Sequence, residues 1–192
     1  MKEKKLTISG YGIFIMSVEK LMDFLKKNKR RSKKILDLFQ KNPELYFESL
    51  KEGVWIPIVP IDSYKYVINN IPLDDEWQKI YTYENFNLHV LGGEIWIGSF
   101  GHLLNINIDE FKSNDESISY KTLDGILLYD AFKLKLETGK YLVNITGYKR
   151  KKILEYPEAN SGFSFKFEKV DEFIGYNDPR EDDKYHFNLL NS

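Results

Sequence analysis

Histidine is the side chain most able to do chemistry near neutral pH, and this chain has three, His89, His102 and His186. None of them lies at the spacing of a helical metal-binding pair. The sequence contains no cysteine, which excludes thiolate zinc sites, cysteine nucleophiles and disulfides. Phosphate-binding glycine loops, serine nucleophile elbows and H-E-x-x-H motifs do not occur in the sequence either. We therefore expect a non-catalytic protein with neither a metal nor another cofactor.

Carboxylates are frequent enough to form acidic pairs in two segments. Residues 74–76 read Asp-Asp-Glu and could supply an acid and a base for hydrolysis. Residues 178–184 place Asp182 two positions before Lys184, a fragment of the pattern of metal-dependent nucleases. Both segments are also typical of solvated loops. A hydrolase that uses one of them is the second alternative function.

Two basic clusters suggest a different kind of site. Residues 26–34 read K-K-N-K-R-R-S-K-K, and residues 149–152 read K-R-K-K directly after Tyr148. Cations beside aromatic rings suit single-stranded nucleic acid, which offers phosphates and stacking bases. A dedicated nucleic-acid binder is usually basic, whereas this chain has a formal net charge of −1. A nucleic-acid-binding module is therefore the first alternative function.

The C-terminal segment 171–192 interleaves carboxylates with aromatic residues and indicates a protein partner. Aromatic side chains provide anchor area in interfaces, and acidic side chains steer a basic partner toward them. Tyr176 or Tyr185 would be the packing anchor. The alternative is a C-terminal strand whose aromatic side chains join the core. The predicted partner-binding residues are Asp171, Glu172, Tyr176, Asp178, Glu181, Asp182, Asp183 and Tyr185.

Charge is distributed unevenly along the chain. Residues 1–52 contain 13 Lys and Arg against 7 Asp and Glu, and the remainder contains 15 against 22. Such asymmetry indicates either a binding surface or a basic helical segment that packs on an acidic β body. The sequence shows neither a signal peptide nor an apolar run that could span a bilayer. Together with the lack of cysteine, this predicts a cytoplasmic protein without a membrane partner.

Turn and cap signals divide the chain into a helical segment and a β body. Ser17 as a cap, Pro43 at a helix start and Gly53 at a helix end predict helices over about 17–52. From about 54 to 170, short apolar runs alternate with turn residues, and 103–108 is one of the strand candidates. Two prolines in 54–61 predict an edge or bulged segment there rather than a central strand.

Two β-hairpins are predicted from strict alternation of apolar and polar residues on both sides of a short turn. The first spans residues 86–97. The second spans residues 132–145 and places Leu134 opposite Val143 on one apolar face. We therefore predict an α+β fold in one domain over residues 1–192. Its architecture is a mostly antiparallel β-sandwich or open barrel with an N-terminal helical segment.

The order of these elements resembles a family of small bacterial immunity-type β-sandwich proteins, which are encoded beside polymorphic toxins. The residues that carry the resemblance are W-I-P-I at 55–58, G-K-Y-L-V-N-I-T-G-Y at 139–148 and F-S-F-K-F at 163–167, followed by the acidic tail. The resemblance implies a protein that neutralises a toxin by occluding its active surface. The leading hypothesis is therefore a protein-binding module whose partner is a basic toxin domain.

Overall fold

A computed structural model describes residues 4–190 and shows an α+β fold built in three layers. Two five-stranded sheets pack face to face and do not close into a barrel. All strand pairs are antiparallel except β4 with β10, which is parallel. The strands are β1 Lys4–Thr7, β2 Ile13–Met16, β3 Trp55–Ile58, β4 Lys65–Asn69, β5 Trp77–Val90, β6 Glu94–Ser99, β7 Ser117–Lys121, β8 Leu127–Lys135, β9 Gly139–Arg150 and β10 Ser161–Val170.

The two sheets differ in how they are covered. The outer sheet has the order β1-β4-β10-β9-β5, and the inner sheet has the order β3-β2-β6-β8-β7. Ile13 and Ile15 of β2 pack in the core between the sheets, whereas Phe14 and Met16 pack against the helices. All four are buried, which explains why this strand is continuously apolar. The inner sheet therefore has a hydrophobic core on each face.

The helices lie on the inner sheet and begin and end close to the predicted signals. Pro43 is the first residue of its helix, as predicted, and Gly53 follows the helix end with φ +65°. A Cβ at position 53 would lie 2.8 Å from the backbone nitrogen of His89, so only glycine fits. Ser17 precedes its helix but makes no capping hydrogen bond. The helices are α1 Val18–Lys27, α2 Ile35–Lys41, α3 Pro43–Lys51 and α4 Ile108–Lys112, with a 3₁₀ turn at Phe100–Leu104.

Neither predicted hairpin forms. β5 and β6 belong to different sheets, and so do β8 and β9, so both turns carry the chain across the sandwich. Around residues 132–145 the alternation nevertheless predicted the apolar face correctly: Val143 is buried in the core between the sheets, and Leu134 packs against that core from the opposite sheet. Alternation determines which face of a strand is buried, but it leaves the partner strand open.

Two further strand predictions had different outcomes. The segment 103–108 is not a strand, because Leu103 and Ile106 are buried three positions apart in the core under the helices. The proline-containing β3 is an edge strand of the inner sheet, as predicted, and Pro57 pairs with Phe14 on its one neighbour. A proline is accepted there because the missing N–H need not reach a second strand.

Candidate functional site

The C-terminal segment crosses the molecule as an irregular strap along β5, the edge strand of the outer sheet. We call residues 171–190 the acidic strap. The Asn87 side-chain amide donates to the Gly175 carbonyl at 2.8 Å, and the Tyr81 hydroxyl donates to the Phe187 carbonyl at 2.6 Å. These bonds tie the strap to a sheet edge whose backbone groups lack a neighbouring strand.

The end of the strap fills the gap between the two sheets. Tyr185, Phe187 and Leu189 are buried in the core of the sandwich. The Tyr185 ring lies 5.1 Å from the Tyr83 ring and 5.2 Å from the Phe86 ring. Tyr185 was predicted to be a packing anchor for a partner, but it is only 7% exposed and its ring packs inside the protein. The alternative prediction was a C-terminal strand whose aromatic residues join the core; Tyr185 and Phe187 do join it, but no strand forms and Tyr176 stays exposed.

Asp178 is an internal anchor of the strap and is only 8% exposed. Its carboxylate accepts a hydrogen bond from the Tyr46 hydroxyl at 2.5 Å and another from the Arg180 backbone N–H at 2.9 Å. The Arg180 guanidinium lies over the Tyr46 ring at 3.5 Å. Burial, together with the Asp178 carboxylate, raises the pKa of Tyr46. Asp178 was predicted to lie at the partner surface; this is also corrected, since its carboxylate is used inside the protein.

The other predicted residues are exposed on the strap: Asp171, Glu172, Tyr176, Glu181, Asp182 and Asp183. Among these acids only Glu181 has an ion pair with a described residue, Lys184 at 3.2 Å. Sequence reasoning missed Ile174, which lies between Glu172 and Tyr176 and is fully exposed. An isoleucine inside an acidic run is the signal that could have revealed it. The strap therefore presents Ile174 as its most exposed apolar side chain, close to carboxylates that have no ion pair with a described residue.

The first basic cluster forms the rim of a groove of about 890 Å³ beside α1. We call this the basic groove. Its aliphatic floor was not predicted, because it combines α1 with a segment far along the chain. Arg30 donates a 3.4 Å hydrogen bond to the Asn42 side chain, and none of the rim cations has an ion pair with a described acid. The lining residues are Met22, Leu25, Ile106 and Ile108 in the floor, and Asp23, Lys26, Lys29, Arg30, Arg31, Ser32 and Lys33 around it.

The second basic cluster, residues 149–152, and the first acidic segment, residues 74–76, lie together at the end of the outer sheet. Arg150 forms an ion pair with Glu76 at 2.8 Å and lies over the Trp77 ring at 4.3 Å. Its Nε also donates to the Ala159 carbonyl at 3.1 Å. These contacts give Arg150 and Glu76 a structural role. Because the basic groove belongs to the helical layer, the two basic clusters lie on different layers of the fold.

A polar pocket of about 780 Å³ beside α4 was not predicted. His102 Nε2 lies 3.6 Å from a carboxylate oxygen of Asp130 and has no hydrogen-bond partner among the described residues. Burial raises the pKa of Asp130, while the nearby His102 opposes that shift. Glu110 and Glu116 add further carboxylates.

The chain was also compared with known proteins. No family model, curated protein or solved structure matches it. Within residues 4–190, no group of three or more His, Asp or Glu side chains could hold a metal ion. In the same part of the chain, no helix is long and apolar enough to cross a membrane.

Proposed function

We propose that this chain is a non-catalytic protein-binding module that binds a basic protein partner on its acidic strap. The observation that carries the proposal is Ile174, whose side chain is fully exposed on an anchored segment. Asp171 and Glu172, which have no ion pair within residues 4–190, precede it, and Tyr176 lies on its other side. An exposed apolar side chain inside an acidic rim is the arrangement of an interface anchor with steering charges.

The way in which the strap is anchored favours a binding surface over a solvated loop without a partner. Hydrogen bonds from Asn87 and Tyr81 fix its backbone, and Phe187 holds its end in the core. A segment that is already ordered loses little conformational entropy when a partner docks. The Lys51 ammonium lies 5.4 Å from the Tyr176 ring, which places this ring against α3. The binding residues are therefore preorganised on a rigid support.

Within this class, the particular function we propose is neutralisation of a bacterial toxin in the cytoplasm. The resemblance to immunity-type proteins supports this function, and an acidic strap suits the basic surface that a nucleic-acid-degrading toxin presents. Binding over that surface would exclude the toxin's substrate. The chain would then need no catalytic group of its own.

The test is binding to the proteins encoded by the flanking genes, measured as association and dissociation rates at several salt concentrations. The double variant Asp182→Lys and Asp183→Lys should lower the association rate about tenfold at low salt and reduce its salt dependence. The control is Asp75→Lys with Asp109→Lys, which changes net charge equally at exposed, unpaired acids outside the strap. Equal rates for both variants would contradict the proposed surface. Failure of every flanking product to bind would overturn the function itself.

A growth assay tests toxin neutralisation directly. Co-expression of this chain should restore growth to cells that express the flanking toxin, and the Asp182→Lys and Asp183→Lys variant should restore it less well. The Asp75→Lys and Asp109→Lys control should protect like the parent. If the parent fails to protect although it binds the product tightly, binding is real but neutralisation is not its purpose.

A further inference from the structure

The basic groove has an apolar floor and a cationic rim, and the proposed function does not use it. Its floor is aliphatic, with Met22 38% exposed and Ile108 partly exposed, and its rim carries five cations against the single acid Asp23. Methionine adapts its shape to different apolar side chains. The groove therefore fits an acidic chain segment that offers an aliphatic side chain.

The acidic strap of this same protein has that composition. Ile174 projects fully into solvent, and Asp171 and Glu172 lie beside it without an ion pair to any described residue. The charge distribution agrees: residues 1–52, which supply most of the groove, have an excess of six positive charges, and the remainder has an excess of seven negative charges. A molecule with one basic and one acidic surface can pair these surfaces between copies.

Single-stranded nucleic acid fits the groove less well. Its sequence-tolerant binding depends on bases stacked on aromatic rings, and none of the described residues that line the groove is aromatic. An aliphatic floor instead favours an aliphatic side chain. The charge of the rim would attract either occupant, so the floor decides between them.

We propose that the basic groove binds the acidic strap of a second copy of this chain, with Ile174 on the aliphatic floor and Asp171 and Glu172 against the cationic rim. The two surfaces are different, so the contact is head-to-tail and extends to further copies unless a ring closes. This goes beyond the proposed function, because it assigns a ligand to the groove and a contact between copies of the chain. A basic partner that binds the strap would displace the second copy from it.

Sedimentation velocity tests the contact in the parent protein. At about 0.02 M NaCl the Debye length is about 20 Å, so the opposite charges of the strap and the groove still attract each other. The sedimentation coefficient should therefore increase with protein concentration. At about 0.5 M NaCl the Debye length falls to about 4 Å, and the coefficient should return to the monomer value. A parent that stays monomeric at low salt and high concentration would overturn the proposal.

Two variants test the surfaces separately. Arg31→Glu with Lys33→Glu reverses charge on the rim, and Ile174→Asp places a charge on the apolar anchor; all three positions are exposed. Each variant alone should lose self-association, while its thermal melt stays like that of the parent. An equimolar mixture should form a 1:1 dimer and nothing larger, because one variant keeps the strap and the other keeps the groove.

The remaining outcomes assign the groove differently. If the rim variant still self-associates, or if the mixture stays monomeric, the groove and strap do not pair. If the parent binds an oligothymidine at low salt and the rim variant does not, while neither self-associates, the groove is a nucleic-acid site. Under conditions in which the parent is monomeric, the rim variant should bind the flanking toxin like the parent, so this inference and the proposed function can fail independently.

Discussion

The acidic strap and the basic groove are both irregular, highly charged parts of the surface, but the protein holds them in different ways. Buried aromatic side chains such as Phe187, and hydrogen bonds from β5, fix the strap. The chain that forms the groove rim is held mainly by two backbone bonds, Arg30 N–H to the Leu25 carbonyl and Ile106 N–H to the Lys33 carbonyl, each 2.8 Å. The number of exposed charges on a surface segment therefore says little about how rigidly the segment is held. The strap is fixed to the sandwich core, whereas the rim depends on the helix beneath it.

The largest expected effect separates the buried and exposed parts of the strap. Phe187→Ala should lower the free energy of unfolding by about 3–5 kcal/mol, because it leaves a cavity in the sandwich core. Ile174→Ala, the control, should change it by less than about 0.5 kcal/mol. Urea unfolding measures both values. A small loss at Phe187 would mean that the strap is not anchored by its end.

The next effect on the free energy of unfolding concerns the ion pair between Lys20 of α1, the helix beside the basic groove, and Glu52. Lys20 is 6% exposed, and its ammonium lies 2.8 Å from Glu52 Oε2. The other carboxylate oxygen of Glu52, Oε1, lies 2.5 Å from the Lys27 ammonium. Glu52→Gln should cost about 2–3 kcal/mol, because it leaves the Lys20 charge without its partner in a partly buried site. The exposed Glu137, paired with Lys169 at 3.0 Å, provides the control. Glu137→Gln should leave the unfolding midpoint unchanged.

The same ion pair predicts a pH dependence. Burial opposes ionisation of Glu52, but hydrogen bonds and charges from Lys20 and Lys27 outweigh it and lower its pKa. The unfolded chain therefore binds a proton at this site more readily than the folded protein. The stabilisation should be complete above an unfolded pKa of about 4.3 and should be lost as pH falls through the lower folded value. Glu52→Gln should show a shallower loss of stability over that acidic range, and an identical slope would contradict the assignment.

A smaller effect compares two aspartates of the strap. Asp178→Ala should cost about 1–2 kcal/mol, because it leaves the buried Tyr46 hydroxyl without its acceptor. Asp182→Ala should change stability by less than about 0.5 kcal/mol, since that carboxylate is exposed and unpaired. Thermal or urea unfolding of the two variants provides the measurement. Equal losses would mean that both carboxylates have the same role.

The smallest effect concerns His89, whose backbone N–H donates to the Gly53 carbonyl at 2.7 Å. Burial, followed by the charges of Lys20 and Lys140, lowers the pKa of His89. The unfolded state therefore takes up the proton first, so stability should be complete above about pH 6.5 and should decline as pH falls below it. His89→Gln should flatten this decline between about pH 7 and pH 5. A steeper decline in the variant would reverse the predicted sign.

Local signals in the sequence predicted local features and missed those that depend on distant partners. Pro43 and Gly53 act through their own backbone conformations, so the helix limits they predict are found in the structure. The alternation around residues 132–145 predicted buried faces but paired the wrong strands, because a short turn can stay in a sheet or cross a sandwich. Only packing across the whole core decides between these courses.

The same limit applies to the candidate site. The exposed acids of the strap follow from composition, whereas the burial of Asp178 depends on Tyr46, 132 positions earlier in the chain. The basic rim is visible as a run of residues, but its floor joins Met22 to Ile106 and Ile108. Long-range contacts of this kind leave no periodic signal in one sequence. The sequence could therefore propose the strap as a candidate site, but it could not show which of its residues are buried anchors and which are exposed.

The most direct test of the proposed binding surface compares two exposed isoleucines in binding to the protein partner proposed above. Ile174 lies on the acidic strap, and Ile153, which is 80% exposed, lies in the loop after β9. Ile174→Ala should raise the dissociation rate about tenfold or more, because an interface anchor mainly controls how long a complex lasts. Ile153→Ala should leave that rate unchanged. Equal dissociation rates for both variants and the parent would contradict the claim that the acidic strap is the binding surface.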